Sequence, residues 1–362
     1  MSQLAPVGAF CPYRECADYG QLGKGKVIHY GKSKQGQQRF QCKTCQRTFN
    51  ERKGTLFYKR KTPVKDILEC LALLADGTRI SSSSRAKGIK EDTILSFLRE
   101  AAEHAKQIEA ILLNDYQVGH AQIDGLWTYG GHKGKKTCRQ VAEAGEYWRC
   151  TLIEPETRLR VGRGIGPTET EAAVVLWQQL KQRTAHHASP PPLLSDGWGG
   201  HREALLAVYG QIPPYSGRGR PPTRKQPGKA WHYTQMVKQR DEQGNFVGVE
   251  VRVIYGDDST LNRTGQRTTC VERTNLTSRQ MNARLTRKTL GFSKQLAMLC
   301  AASVWEDGVY NLTRPVKTLR LEVNDGTRRW QPVSPAMKAG LTDHLWSIAQ
   351  LLTLVPVPTN PV

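Results

Sequence analysis

Five polar side chains, far apart in the chain, are of the types that handle a divalent cation and a phosphate. Asp124 sits in Gln122-Ile123-Asp124-Gly125-Leu126-Trp127-Thr128-Tyr129, where apolar and polar positions alternate as in a half-buried strand. An acid in such a strand is costly unless it is paired, hydrogen-bonded or bound to a cation. Asp196 ends the short apolar run Leu193-Leu194-Ser195 and precedes Gly197, at a strand terminus of the kind where α/β folds place functional groups. Glu272 lies at the start of a stretch that runs to about Lys288 without Gly or Pro and is predicted helical. Asn275 and Arg279, three and seven residues on, share its helix face. A carboxylate, a carboxamide and a guanidinium on one face suit a surface that meets both a cation and a phosphate. Oxygen ligands without a His cage favour Mg²⁺ or Mn²⁺.

A second metal is expected near the N-terminus. Cys11 and Cys16 form one knuckle and Cys42 and Cys45 another, with 25 residues between them. Two such loops brought together by a hairpin supply four thiolates to one structural Zn²⁺, a staple that a module this small needs. The segment between reads as strands, Val27 to Tyr30 and Arg39 to Gln41, around a Gly-rich basic turn, so a zinc ribbon is predicted. The other five thiols, Cys70, Cys138, Cys150, Cys270 and Cys300, fall in or beside apolar stretches and read as packing residues.

The elements that must position these groups follow from periodicity. Pro63 opens a helix with Val64, Ile67, Leu68, Leu71 and Leu74 on one face. The four-serine stretch Ser81 to Ser84 offers N-caps for a short second helix, which Gly88 breaks and which is succeeded from about Glu91 by a long third helix. That outline is a helix-turn-helix, with Arg79, Arg85, Lys87 and Lys90 about its turn. Strands are expected around Tyr147 to Ile153 and Arg158 to Val161, then an amphipathic helix from Thr168 to Gln182. A Gly/Pro-rich basic loop follows from Pro213, carrying Arg218, Arg220, Arg224 and Lys225, and Trp231, His232 and Tyr233 beside it suit phosphates and splayed bases. A hairpin turning at Gln243-Gly244-Asn245 comes next.

Charge indicates the partner. The 362 residues carry a net charge of +21. Residues 1–62 hold 13 basic against 3 acidic side chains, 63–211 hold 18 against 18, 212–256 hold 8 against 3 and 257–362 hold 14 against 8. Basic zones flanking a neutral stretch point to a polyanion gripped at several places. No apolar run is long enough to span a membrane and no signal peptide is visible, so a cytoplasmic, nucleoid-associated protein is expected.

The ribbon ending in Arg39-Phe40-Gln41-Cys42-Lys43-Thr44-Cys45-Gln46-Arg47-Thr48-Phe49, the motifs Ile123-Asp124-Gly125-Leu126-Trp127 and Ser195-Asp196-Gly197-Trp198, and the run from Val271 through Leu285-Thr286-Arg287-Lys288-Thr289-Leu290-Gly291-Phe292-Ser293 resemble, in that order, the insertion sequence 1 family of DNA transposases. The resemblance covers about residues 8–295, and the last motif is its most specific part. It implies an α/β, RNase H-like catalytic domain, a mixed sheet flanked by helices, with a triad of Asp124, Asp196 and Glu272, the family's Asn at Asn275 and a basic residue near DNA at Arg279. The expected layout is a zinc ribbon over 1–62, a helix-turn-helix segment over 63–115, the catalytic domain over 116–311 with a basic insert at 212–256, and an extension over 312–362. The wide first Cys pair and the insert depart from the family pattern.

On this reading two Mg²⁺ or Mn²⁺ ions about 4 Å apart clamp an in-line displacement at phosphorus, with Asp124 bridging both, Asp196 on one and Glu272 on the other. The partners are double-stranded DNA, as terminal inverted repeats and as target, and a second copy of the chain. Arg39, Arg47, Arg85, Lys87, Arg218, Arg220, Arg224, Lys225, Arg273, Arg284, Arg287 and Lys288 are the expected DNA contacts. Two alternatives stay open: a domesticated DNA-binding regulator that does not cleave, and a nuclease without strand transfer.

Overall fold

The structure, a computed structural model, describes residues 4–131, 145–217, 219–257, 268–323, 326 and 328–358. After a short strand β1 (Leu4–Pro6), the cysteine-rich module forms a three-stranded antiparallel sheet of β2 (Val27–Lys32), β3 (Gln38–Cys42) and β4 (Thr48–Asn50). Phe40 and Phe49, paired across β3 and β4, stack with ring centroids 5.6 Å apart and form its small apolar centre.

Three helices follow, α1 (Val64–Ala75), α2 (Ile80–Lys87) and α3 (Glu91–Leu112). The expected punctuation holds: Pro63 stands at the N-cap of α1, and Gly88 takes the left-handed φ of +64° that ends α2. The packing of α3 is what the sequence alone does not show. Its apolar face continues into one hydrophobic core shared with the central sheet and the C-terminal helices, so the three-helix unit is built onto the rest of the molecule.

The central sheet has six strands in the order β10-β9-β8-β5-β6-β7. These are β5 (Ala121–Gly130), β6 (Gly145–Ile153), β7 (Arg160–Gly166), β8 (Leu193–Asp196), β9 (Tyr233–Arg240) and β10 (Phe246–Tyr255). An antiparallel meander from β5 to β7, with β8 parallel to β5 and β9 parallel to β8, makes a mixed sheet consistent with an RNase H-like fold. The stretch 212–256, read from sequence as an insert, thus supplies two strands of this sheet. Trp231 and Tyr233, expected beside DNA, are buried in its core against Tyr209 and Tyr255.

On one face lie α4 (Glu169–Arg183) and α5 (Gly200–Tyr209). Thr168 caps α4 by accepting from the Glu171 amide at 3.2 Å. The glycines of β7 let α4 approach: a Cβ at Gly164 or Gly166 would run into the backbone of Ala172. On the other face lie α6 (Thr269–Met281) and α7 (Leu296–Leu312). The helix expected to reach Lys288 stops at Met281, because Asn282 turns inward to donate to Glu306 at 3.2 Å while its Oδ1 accepts from the Arg284 amide at 3.1 Å.

That second face is held by buried charge. Arg149 donates to Glu306 and Asp307 at 2.6 Å each, and Arg160 donates to the same pair at 2.6 and 2.7 Å. All four side chains are at most 1% exposed. Arg163 joins Asp307 at 3.2 Å and also pairs with Glu109 of α3. Strands β6 and β7 are therefore pinned to α7 and α3 by ion pairs shut off from water.

Beyond α7 the chain forms a small hairpin, β11 (Leu321–Glu322) with β12 (Trp330–Gln331), then α8 (Pro335–Lys338) and α9 (Ile348–Thr353). It ends in β13 (Leu354–Pro356), which pairs with β1. The extension thus clasps the N-terminal strand and packs Val355 against Ala5 and Phe10. Among the described residues no helix is long and apolar enough to cross a membrane.

Replacing Asp307 with Asn strips one charge from three buried guanidiniums, at an expected cost of ~3–5 kcal/mol, read as a lower urea midpoint. Burial alone would push the Asp307 carboxyl up, but Arg149, Arg160 and Arg163 outweigh it and hold it down at about 2. A carboxylate held below its unfolded value of ~3.9 contributes stability that is full above that value and disappears as pH falls through the folded value. The wild-type midpoint should drop across that window and the D307N midpoint should drop less; parallel profiles would contradict the assignment.

Candidate active site and cysteine cluster

Asp124 lies on β5 opposite Thr151, which lies opposite Arg163, so its side chain shares the face that meets α6 and α7. The start of α6 is tied to the same strand by a hydrogen bond from the Val271 amide to Gln122 Oε1 at 3.2 Å. This places Glu272 and Asn275 over Asp124. The Asn275 carboxamide donates to Asp124 Oδ2 at 2.8 Å, and the Gly125 amide donates to Oδ1 at 2.9 Å. Asp196 ends β8, next to β5 in parallel register, and its Oδ1 accepts from the Trp198 amide at 3.1 Å in a local turn. Gln235 of β9 steadies that turn by donating to the Trp198 carbonyl at 3.1 Å.

One cleft of about 440 Å³ is lined by Asp124, Asp196 and Glu272, with Ile123, Met236, Val237, Lys238 and Thr268 in its walls. Burial, and after it the charge of Asp196, push the Asp124 carboxyl up to about 6, against the pull of Asn275 and Gly125. A carboxylate held so is relieved by a cation. Glu272 is half exposed and accepts from Lys238 Nζ at 3.1 Å and from Thr268 Oγ1 at 3.2 Å. The carboxylates are spread wider than a closed metal cage: among the described residues the four cysteines are the group whose ligand atoms all lie within 4.8 Å. The acidic set still fits Mg²⁺ or Mn²⁺ by its chemistry, because the donors are oxygens and Asn275 Oδ1 is buried without a partner. Arg279 Nη1 is likewise buried without a partner, and burial, followed by the nearby Arg287, lowers the Arg279 pKa.

Two further residues crowd this site. Glu169, the first residue of α4, lies beneath Gly125, and burial, then Asp196 and Asp124, push its carboxyl up to about 7. His201 of α5 is fully buried, with Nε2 3.6 Å from Glu169 and 3.9 Å from Asp196, and burial lowers its pKa to about 4 despite Asp196. In the sequence Glu169 carries no motif, and His201, which has no metal-site spacing, reads as a surface or core residue. The available signal was glycine at 125, 162, 164 and 166, which leaves the α4 side of the sheet open to a close helix.

The cysteines converge as expected. Cys11 and Cys45 Sγ are 3.8 Å apart and Cys16 and Cys42 Sγ are 3.7 Å apart, close to the edge of ~3.8 Å that a tetrahedron with Zn–S bonds of ~2.3 Å would have. Burial tends to raise the Cys42 thiol, but the Cys45 and Thr44 amides and neighbouring thiols bring it down to about 7. The set fits one zinc ion. Of the other thiols, Cys70 and Cys150 are buried, while Cys138 lies outside the described residues.

The expected DNA contacts divide. Arg85, Arg220, Arg224, Arg273, Arg287 and Lys288 are exposed. Arg39 lies over the Tyr30 ring, and Arg47 pairs with Glu15 at 2.8 Å. Two of these expectations need correction. Lys87 is engaged by Asp66 at 2.9 Å and by Glu69, so it braces α2 against α1. Arg284 is buried and donates to Ser293 at 3.0 Å. Lys225 is exposed and donates to the Ala207 carbonyl. Arg218 lies outside the described residues.

No protein-family model matches the sequence, and no curated protein does. Among solved structures the chain shows weak similarity to the Mos1 transposase. One is its paired-end complex with the left transposon end, at 16% identity over 41% of this chain and 59% of that one, with a TM-score of 0.15. The chain thus spans 59% of the length of that transposase chain. The Mos1 strand transfer complex aligns at 14% identity over 69% of this chain and 79% of that one, and a pre-cleavage Mos1 transpososome at 13% over 69% and 80%, each with a TM-score of 0.17. Likenesses at these scores carry no weight for function. What the cleft can do follows from its own residues.

Purified protein should contain one zinc ion per chain, released by a mercurial and read with a chromogenic chelator. Cys42→Ser should lose the metal and the folding of the ribbon. Full zinc retention in that variant would show that the four thiols do not form the site.

Proposed function

We propose that the chain is a DNA transposase of the Asp, Asp, Glu type, related to the insertion sequence 1 family, that cleaves element ends and joins them to target DNA. The observation that supports this most is one cleft lined by Asp124, Asp196 and Glu272, with Asn275 hydrogen-bonded to Asp124. A protein that only binds DNA has no use for three carboxylates facing one space. The cysteine module, with one zinc, is a ribbon that grips DNA, and the three-helix unit is its helix-turn-helix partner.

Asp124, Asp196 and Glu272 would hold the divalent cations. Such ions activate the attacking oxygen, first of water and then of a 3′-hydroxyl, and stabilise the leaving 3′ oxygen. The chain's own contribution is position. Asn275 and the Gly125 amide fix both oxygens of Asp124 in direction. Lys238 pairs with Glu272 at the cleft wall, where an exposed pair is weak and readily exchanged for a cation and a phosphate. Arg279, with an unpartnered Nη1 beside Asp124, is placed to take a phosphate oxygen.

The test is incubation with duplexes carrying the terminal repeats that flank the gene, a target plasmid and Mg²⁺, with mapping of 3′ joints. Asp124→Asn should lower nicking by about 10³-fold or more, several kcal/mol of transition-state stabilisation, while end binding changes less than about twofold. A D124N protein that still nicks refutes the assignment, and wild-type protein that binds ends without cutting them marks a regulator.

The exposed Arg220 and Arg224, in the coil before β9, are expected to contact phosphates. Replacing both with Ala should make the slope of log K against log salt shallower by about 2, measured by anisotropy between low and moderate salt. An unchanged slope would remove this coil from the DNA path.

A further inference from the structure

The triad leaves Glu169 and His201 unexplained. Glu169 starts α4 on the sheet face opposite Asp124, yet its carboxylate fills the space a side chain at position 125 would take. Two close approaches bring it there. Gly164 and Gly166 let the first turns of α4 lie on β7, and Gly200 lets the start of α5 abut Thr170. The Glu169 side chain is only 10% exposed, and the His201 ring faces it. That ring is 0% exposed, neither nitrogen has a hydrogen-bond partner, and Nε2 points between Glu169 Oε1 and Asp196 Oδ1 at 3.6 and 3.9 Å.

A buried carboxylate beside two others, with no Arg or Lys paired to it among the described residues, is unfavourable unless a cation completes it. An unpartnered, fully buried polar ring aimed at the same space is a second, separate sign of a missing group. The alternative, that Glu169 serves the N-terminus of α4, is met already by the Thr168 cap and by the exposed Glu171 in the same turn. It gives no reason for a buried acid under Gly125.

We propose that Glu169 is a fourth carboxylate of the cleft, a divalent-cation ligand reaching Asp124 and Asp196 through the gap left by the missing side chain at Gly125, with His201 closing the wall behind it. This rests on the triad reading above. It also gives Gly125 a role: the glycine after Asp124 is the opening through which the fourth oxygen donor enters.

The test is Mn²⁺ binding to the full-length protein without DNA, followed by electron paramagnetic resonance and calorimetry, with thermal melts as a check on folding. Glu169→Gln should weaken the tightest Mn²⁺ site by at least ~10-fold. Gly125→Ala, which pushes the carboxylate away without removing it, should weaken it comparably, and Glu171→Gln should bind as wild type. Iron-loaded protein treated with peroxide should be cut in its backbone near residue 169 as well as near 124 and 196. Wild-type Mn²⁺ affinity in a folded E169Q protein, with affinity lost in D124N, overturns the fourth ligand and spares the triad. Wild-type affinity in both overturns the triad reading itself.

Discussion

The molecule is organised around charge buried without water. Arg149, Arg160 and Arg163 on β6 and β7 meet Glu306 and Asp307 on α7 and Glu109 on α3. Each ion alone would be too costly to bury, and together their attraction offsets the cost only while the geometry is kept. The network therefore fixes where α7 lies against the sheet. Asn282, bonded to Glu306, ends α6 at the length that leaves Asn275 over Asp124. The cleft's geometry depends on ion pairs in which none of its own residues takes part.

The two faces of the sheet are built by opposite means. One carries long charged side chains and holds its helices by directional ion pairs. The other carries glycines at 162, 164 and 166 and holds α4 by close contact, backbone on backbone at Gly164 and Gly166 and against the Leu176 side chain at Gly162. Asp124 and Gly125 are neighbours in the chain but belong to opposite faces, so the site draws on both. This brings side chains from β5, β8, α4, α5 and α6 to the end of two parallel strands, where β8 stops and leaves room.

Much of this is legible from residue order. The alternation around Asp124, the apolar run before Asp196 and the caps at Thr168 and Gly88 depend on local preferences, and the strands and helices form where those preferences place them. The structure departs from these expectations where residues depend on neighbours far along the chain. Trp231 and Tyr233 look like surface aromatics beside a basic loop, yet β9 joins a buried sheet. Lys87 and Arg284 look like free cations until Asp66, Glu69 and Ser293 are seen beside them. The extension after Leu312 has no motif, because its role is to pair β13 with β1 at the other end of the chain.

By itself the sequence determined which residue types could hold metal, the convergence of four cysteines, and the spacing that puts Glu272, Asn275 and Arg279 on one helix face. These are short-range matters, set by ligand chemistry and by the helical and strand periods. Only the tertiary structure decided which acids share a cleft, that Glu169 and His201 lie close by at Gly125 and Asp196, and which basic residues remain exposed. Those depend on side chains from distant elements meeting in a space closed to water, where the charge and shape of each neighbour set what the others can do.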